Sequence, residues 1–229
     1  MIAENLKKTM ETIEAAKKKR KEGMAEDVTL VAVTKNHTLE SMRAAIDAGV
    51  TDIGENRIQE SRQKFDALDR EVTWHLIGHL QKNKAKYAVR MFDLIHSVDT
   101  IELAKELDRE AAKHDKVQDI LVQVNLAKED SKSGVYEEEL KALLFAIDGL
   151  ENLRLKGLMC IAPNYDDVED TRPLFRRMRE IFEEIKEYPL ERANIRILSM
   201  GMTHDYDIAI EEGATVVRVG TGIFGAREY

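Results

Sequence analysis

Short apolar segments alternate with amphipathic segments along almost the whole chain. Eight short apolar segments, the first of them β-branched, predict buried strands, because buried parallel strands form nearly continuous apolar runs. The intervening segments repeat apolar residues at three- and four-residue spacing, which is typical of helices that pack on one face. Another such segment, through about residue 20, precedes the first strand. The predicted strands are 28–34, 51–53, 72–77, 92–96, 120–125, 153–159, 195–199 and 215–219, and the predicted helices between and after them are 39–48, 55–68, 81–89, 100–114, 137–147, 167–186 and 204–212.

This strand–helix rhythm predicts the fold class. Alternation of the two elements indicates parallel β-α-β units. Eight units after one extra N-terminal helix predict an α/β fold, a (β/α)8 TIM barrel. A doubly wound open sheet is the alternative, since periodicity does not distinguish an open sheet from a closed one. With only three prolines and no Gly/Ser-rich linker, residues 1–229 are predicted to form one domain.

Composition narrows the class of protein. The net charge of −8 argues against a general nucleic-acid-binding protein, because phosphate backbones require a basic surface. The lone cysteine, Cys160, has no partner for an internal disulfide and fits a reducing compartment. The N-terminus is too polar for a signal peptide, and no run approaches membrane-spanning length. We therefore expect a cytoplasmic protein that binds neither nucleic acid nor membrane.

A lysine stands where the first predicted strand runs out. Side chains alternate along a strand, so Val31, Val33 and Lys35 share one side. If that side faces a core, desolvation favours the neutral amine, which is the form that condenses with aldehydes. Lys35 is therefore the candidate nucleophile.

Two glycine-bearing turns follow the seventh and eighth predicted strands, at 198–203 and 219–223. Glycine lets backbone N–H groups approach an anion closely, and barrels often bind phosphate in this region. Ser199, Thr203 and Thr221 add hydroxyl donors. Ordinary tight turns are the alternative, but the presence of both turns in these two loops favours a phosphate site.

Arg218 interrupts the last apolar strand, between Val217 and Val219. A buried charge without a partner is very costly. The arginine therefore predicts either an internal salt bridge with a carboxylate or a donor to a ligand atom that must stay neutral. A ring nitrogen is such an atom, since a second positive charge would meet the guanidinium.

Four other residues at the predicted strand ends receive a structural interpretation. His75 and His79 flank the end of the third strand, and no carboxylate completes a set of metal ligands. We interpret them as residues that shape the third loop by hydrogen bonding. Met159 and Cys160 end the sixth strand and are interpreted as packing residues below a ligand.

Six stretches occur in one order over nearly the whole chain: AVTK at 32–35, DIGEN at 52–56, WHLIGHLQKNK at 74–84, GLM at 157–159, LSMGM at 198–202, and VRVGT at 217–221 with IFG at 223–225. The tryptophan–histidine stretch and the two C-terminal turns are the most specific. Together they resemble the pyridoxal phosphate homeostasis protein family. Members of that family have the single-barrel form of the alanine racemase N-terminal domain-like fold.

The resemblance implies a cofactor and the residues that hold it. It implies that Lys35 holds pyridoxal 5′-phosphate (PLP) as a Schiff base, that Arg218 faces the pyridine nitrogen, and that the two glycine turns hold the phosphate. Asn56 would lie beside the ring. With Met159 below the ring, the expected cofactor-binding residues are Lys35, Asn56, Met159, Ser199, Gly201, Arg218, Gly220 and Thr221.

The resemblance also implies a function, a PLP-binding protein in vitamin B6 homeostasis with PLP-dependent apoenzymes as partners and no established turnover. A PLP-dependent amino-acid racemase is the alternative. Relatives that racemise resemble this barrel plus a C-terminal β-domain, with a tyrosine base at a dimer interface, and we expect no room for that domain here. An arginine at the ring nitrogen also weakens the ring as an electron sink. We therefore expect a monomeric carrier. A Schiff-base aldolase, which would be colourless as purified, is a third hypothesis.

Overall fold

Eight parallel strands form a closed barrel in a computed structural model that describes residues 1–25 and 27–225. Each strand pairs with the next in sequence, and the last pairs with the first. The (β/α)8 barrel is therefore confirmed, and the open doubly wound sheet is wrong. Glu26 and residues 226–229 of the predicted domain lie outside the described residues. The strands are β1 (Thr29–Val33), β2 (Asp52–Glu55), β3 (Thr73–Leu76), β4 (Leu94–Val98), β5 (Gln118–Gln123), β6 (Leu153–Met159), β7 (Ala193–Met202) and β8 (Val216–Val219).

Helices surround the barrel at the places where the amphipathic pattern predicts them. Short 3-10 segments at Lys82–Lys84 and Val168–Thr171 precede the fourth and seventh helices. One helical turn, after β8, was predicted only as a glycine-bearing turn. No helix within the described residues combines the length and apolar character needed to cross a bilayer. The helices are α1 (Ile2–Lys17), α2 (Leu39–Asp47), α3 (Ile58–Ala67), α4 (Ala85–Met91), α5 (Ile101–Lys113), α6 (Glu137–Asp148), α7 (Arg172–Lys186), α8 (Tyr206–Glu211) and α9 (Thr221–Phe224).

Within residues 1–25 and 27–225, apolar side chains form two separate clusters. The large one fills the layer between strands and helices, where Phe92, Phe175 and Phe182 are fully buried. Burial of each such side chain stabilises the fold by about 1.5–3 kcal/mol. The small cluster, Leu94 and Leu121 with Met159, lies apart from it. Leu94 pairs in register with His75, so this small cluster and a row of polar side chains share the barrel interior.

A bulge in β7 extends that strand beyond its predicted end. The register between β7 and β8 shifts between Ser199, which pairs with Val216, and Met202, which pairs with Arg218. Gly201 lies within this bulge with φ of +95°. A Cβ there would stand 2.6 Å from Ala209 Cβ and 2.9 Å from Tyr206 Cα, so glycine is needed for both the backbone angle and the close approach of α8.

Candidate functional site

Both neighbours of Lys35 are held by carboxylates from the adjacent unit of the barrel. Thr34 Oγ1 donates to Glu55 Oε1 at 2.5 Å, and the Asn36 N–H donates to Glu60 Oε1 at 2.6 Å. Asn36 adopts a left-handed conformation, with φ of +63°, which turns the chain just after the lysine. Lys35 itself is half-buried. The backbone that carries the candidate nucleophile is therefore fixed on both sides.

A second lysine completes this brace. Lys64, from α3, is 7% exposed, and its Nζ donates to the Thr34 carbonyl at 2.7 Å, to Glu55 at 2.8 Å and to Glu60 at 2.6 Å. Burial raises the pKa of Glu55, and the nearby Lys64 ammonium partly offsets that rise. The ammonium thus bridges two carboxylates and a carbonyl behind Lys35, a role that the sequence analysis missed.

The two glycine turns meet at the end of the barrel. The Gly220 N–H donates to Thr203 Oγ1 at 3.2 Å, which joins the loop after β7 to the turn after β8. α9 begins at Thr221, and the first N–H groups of a helix have no acceptor within the helix. Thr203, Gly220 and Thr221 are therefore brought to one place, at backbone suited to an anion, and Gly201 lies two residues before Thr203 in the same loop.

The pairing of β8 with β1, the seam that closes the barrel, brings the turn after β8 beside Lys35. β1 pairs with β8, with Ala32 opposite Val219. A Cβ at Gly220 would lie 3.4 Å from Val33 Cβ, and the His37 ring stacks on Phe224 with centroids 4.3 Å apart. Since Lys35 lies between Val33 and His37, the chain segment that carries it runs against the glycine turn.

Asn56 presents a buried hydrogen-bond acceptor that is unsatisfied within the described part of the chain. Its Oδ1 atom is buried and accepts no hydrogen bond among the described residues. Its backbone packs closely against Gly78, where a Cβ would stand 2.3 Å from Asn56 O. Buried polar atoms are normally satisfied, so this oxygen marks a position where a donor is missing.

The Arg218 guanidinium is buried in the barrel and contacts neutral oxygen atoms. Its Nη1 donates to Ser199 O at 3.1 Å and to Ser199 Oγ at 2.5 Å, and its Nη2 donates to Cys160 O at 2.8 Å. Among the described residues no carboxylate forms an ion pair with it, so the predicted internal salt bridge does not form there. Burial lowers the pKa of Arg218, but arginine starts so high that the side chain stays positive at neutral pH.

Ser199 lies inside the barrel and contacts two other buried side chains. The side chain is fully buried inside the barrel, where Oγ contacts His96 Nδ1 at 2.9 Å as well as Arg218. Its predicted contact with phosphate stays a prediction, and Thr203 is the hydroxyl that lies at Gly220.

His75 does not shape the third loop, and that interpretation is wrong. It lies within β3 and points into the barrel, with Nε2 2.7 Å from Asp52 Oδ1 and Nδ1 2.9 Å from His96 Nε2. His79 does lie in the loop, where Nδ1 is 3.1 Å from Ser133 Oγ. Strand periodicity places His75 on the inner face, but its partner on β4 is set by the register between strands.

Met159 and Cys160 are packing residues. Met159 is fully buried with Leu94 and Leu121, in the small cluster inside the barrel. Burial raises the pKa of Cys160 to about 12, so the thiol remains protonated and unreactive at neutral pH. Met159 therefore lines the barrel interior below the strand ends, whereas Cys160 offers its carbonyl to Arg218.

Comparison with known proteins points to one family. A family model described as the N-terminal domain of alanine racemase matches residues 8–228. The pyridoxal phosphate homeostasis protein of Aquifex aeolicus is 42% identical over 229 residues, which cover 99% of this chain and 98% of the relative. The protein of that name from Escherichia coli K12 is 38% identical over 234 residues, covering 100% of this chain and 97% of the relative.

Solved structures extend the comparison to the fold. PipY of Synechococcus elongatus, solved with PLP bound, matches with a TM-score of 0.86 and 37% identity over 98% of this chain and 100% of that chain. Alanine racemase of Clostridium difficile matches with a TM-score of 0.74 and 15% identity, over 99% of this chain and 58% of the racemase. At that identity the second match shows the fold alone.

Proposed function

Because this chain belongs to the family of pyridoxal phosphate homeostasis proteins, we propose that it binds PLP through an imine bond to Lys35 and acts as a carrier of the cofactor. The observation that carries this proposal is the meeting of Lys35, Arg218 and the two glycine turns along the β8–β1 seam. PipY, a similar protein, has been solved with PLP bound.

Three features of the described residues fit this cofactor. Asn56 Oδ1 is a buried acceptor without a donor. The helical turn that begins at Thr221 offers N–H groups of the kind that hold a phosphate dianion, beside the Gly220 N–H that donates to Thr203 Oγ1. The Arg218 guanidinium is buried among neutral oxygens, and a neutral ring nitrogen is an acceptor that it tolerates.

Each residue then has a role in holding the ligand. When bound, PLP supplies an aldehyde that condenses with a primary amine, with the loss of one water. Lys35 provides the amine, and the brace from Lys64, Glu55 and Glu60 fixes its backbone. Gly201, Thr203, Gly220 and Thr221 take the phosphate end. Arg218 disfavours a proton on the ring nitrogen, and an unprotonated ring is a weaker electron sink.

We place the protein among carriers rather than racemases, in the cytoplasm. Relatives of this length are named as homeostasis proteins, which supports a role without turnover. Racemisation needs a base on each side of the substrate α-carbon. A guanidinium next to the ring nitrogen works against that chemistry. PLP-dependent apoenzymes are the proposed recipients, and the carrier is proposed to act as a monomer.

Absorption spectroscopy tests the proposal. PLP added to the purified protein is expected to give a visible absorption band that Lys35→Ala lacks, while the variant keeps its circular dichroism spectrum. Lys105→Ala, an exposed lysine on α5, is the matched control and should give the wild-type band. A band of equal intensity in Lys35→Ala would contradict the assignment of the lysine.

A chiral assay separates the carrier from the racemase. Wild-type protein loaded with PLP is incubated with L-alanine and other L-amino acids, and the D-enantiomer is measured by chromatography. We expect no more D-amino acid than with free PLP at the same concentration. Turnover that co-purifies with the protein and disappears in Lys35→Ala would make the racemase the correct function.

A further inference from the structure

A chain of hydrogen bonds crosses the barrel from its N-terminal end to Arg218. Asp52 is the first residue of β2, and Arg218 lies in β8. Between them the contacts are Asp52 Oδ1 to His75 Nε2 at 2.7 Å, His75 Nδ1 to His96 Nε2 at 2.9 Å, His96 Nδ1 to Ser199 Oγ at 2.9 Å, and Ser199 Oγ to Arg218 Nη1 at 2.5 Å. The five residues come from five different strands.

The two end residues of this series of hydrogen bonds, Arg218 and Asp52, fix the direction of every bond between them. A guanidinium only donates, so Ser199 Oγ accepts from Arg218. The Ser199 hydroxyl proton then has His96 Nδ1 as its acceptor, and neutral His96 carries its proton on Nε2. His96 donates to His75 Nδ1, and His75 Nε2 donates to the Asp52 carboxylate. Every link is satisfied, with one donor and one acceptor.

The electrostatics of the interior agree with this direction. His96 is fully buried, and desolvation, together with the nearby Arg218 guanidinium, holds its pKa well below 6.5. A protonated His96 would turn an N–H towards Ser199 Oγ and leave the serine proton without an acceptor. Burial raises the pKa of Asp52, but hydrogen bonds from His75 and Thr51 outweigh it, so the carboxyl is ionised at neutral pH.

Asp52, at the acidic end of this series of hydrogen bonds, lies against a cavity. Asp52 and His75 line a space of about 500 Å³ at the N-terminal end of the barrel, together with Asp27. The cavity gives the Asp52 side chain room for a longer acid. Asp27 is exposed and stands outside the hydrogen-bonded chain, so it offers the same charge without the connection.

We propose that Asp52 is a positioning residue for the cofactor end of the barrel: its carboxylate, acting through His75, His96 and Ser199, orients the Arg218 guanidinium and serves as its distant counter-ion. The oriented guanidinium then presents one fixed face to a bound ring. Only this last step rests on the proposed function, because the chain of hydrogen bonds belongs to the protein without ligand.

Nitrogen NMR of the ligand-free protein tests the chain itself. In protein labelled with ¹⁵N-histidine, His75 and His96 are each expected to carry a proton on Nε2 and to accept a hydrogen bond at Nδ1. Asp52→Asn, whose amide both donates and accepts, should give a mixture of tautomers at His75, and Ser199→Ala should shift the His96 signals. Asp27→Asn should leave both residues unchanged. An Nδ1–H tautomer at either residue in the wild type would overturn the proposal.

PLP binding tests the effect on the ligand. We expect Asp52→Asn to weaken PLP binding by roughly 2- to 30-fold, the range for substitutions along a coupled network, and Asp52→Glu to recover most of it. In a Ser199→Ala background, Asp52→Asn should cause no further loss, because the connection is already broken. An undiminished loss there, or an equal loss in Asp27→Asn, would overturn the proposal. If wild-type protein binds no PLP, the proposed function fails, whereas the NMR result still decides the hydrogen-bonded chain.

Discussion

Val31 and Arg218 lie opposite each other in the strand pairing that closes the barrel. Val31 shares its side of β1 with Val33, and Lys35 follows two residues later. The same pairing continues to Val219, so Gly220 and Thr221 emerge beside the end of β1. The seam therefore determines that the candidate nucleophile, the buried guanidinium and the glycine turn meet.

Removal of the Thr203 hydroxyl is expected to weaken binding of the PLP phosphate. Thr203→Ala takes away the hydroxyl that joins the two glycine turns and that, in the proposed site, donates to the phosphate. The Kd for PLP should rise by roughly tenfold or more, since a hydrogen bond to a charged group contributes about 1.5–3 kcal/mol. Thr203→Ser should bind normally. Pyridoxal, which has no phosphate, is the control ligand and should bind both variants alike. An equal loss for pyridoxal would place Thr203 away from the phosphate.

Gly201→Ala is expected to destabilise the fold by more than backbone strain alone. The residue has φ of +95°, and a new Cβ would stand 2.6 Å from Ala209 Cβ. Gly49→Ala is the control, because its φ is +113° but nothing lies within 4 Å of the added carbon. Urea denaturation should show a loss of about 1 kcal/mol for Gly49→Ala and a larger one for Gly201→Ala. Equal losses would show that α8 can move away.

Lys64 is expected to stabilise the fold because its ammonium group pairs with the buried Glu55 carboxylate. Lys64→Met leaves the buried Glu55 carboxylate without its ammonium, which typically costs about 3–5 kcal/mol. Adding Glu55→Gln removes the unpaired charge, so the double variant should recover a large part of the free energy of unfolding. Chemical denaturation of both variants measures this. A loss below about 1 kcal/mol for Lys64→Met would mean that the bridge behaves as a surface ion pair.

His96 is expected to make the protein sensitive to acid. Its pKa in the folded protein lies well below the ordinary 6.5, because of burial and neighbouring positive charge. Below pH 6.5 the unfolded chain therefore binds a proton that the folded protein does not, and the free energy of unfolding falls as the pH drops. The loss reaches about 1.4 kcal/mol per pH unit for one such group.

Denaturation of the ligand-free protein between pH 4 and 7.5, approximately the range of this titration, measures the effect. His96→Gln is expected to flatten the profile below pH 6.5, although it also lowers stability at neutral pH. His114→Gln, at an exposed position after α5, is the control and should keep the wild-type slope. An unchanged slope in His96→Gln would show that His96 takes up its proton in the folded protein.

Local sequence pattern predicted the alternation of strands and helices, and the number of units favoured a barrel over an open sheet. The β-branched run 28–34 is typical of a buried strand, and β1 lies within it. The predicted strand 153–159 coincides with β6. Lys35 and the glycine turns were predicted because they follow strands directly, and a barrel brings all such positions to one end. The family resemblance added the cofactor, which the residues alone left open between a phosphate-bearing aldehyde and a sugar phosphate.

The polar interior could not be predicted from local pattern. His75 and His96 meet only because β3 and β4 pair with His75 opposite Leu94, and Ser199 reaches them from the far side of the barrel. Such contacts depend on register and closure rather than on neighbours in sequence. The Glu60–Lys64 spacing was visible as a helical pair, but nothing local indicated that it turns inward onto Glu55.

Borohydride reduction followed by peptide mass spectrometry tests the central claim most directly. Reduction of the PLP-loaded protein converts an imine into a stable secondary amine, which marks the lysine that carried the ligand. We predict that a single modified peptide contains Lys35, with unmodified Lys64, and that Lys35→Ala yields no stoichiometric label. A stoichiometric label on another lysine of the wild type, with Lys35 unmodified, would contradict the account.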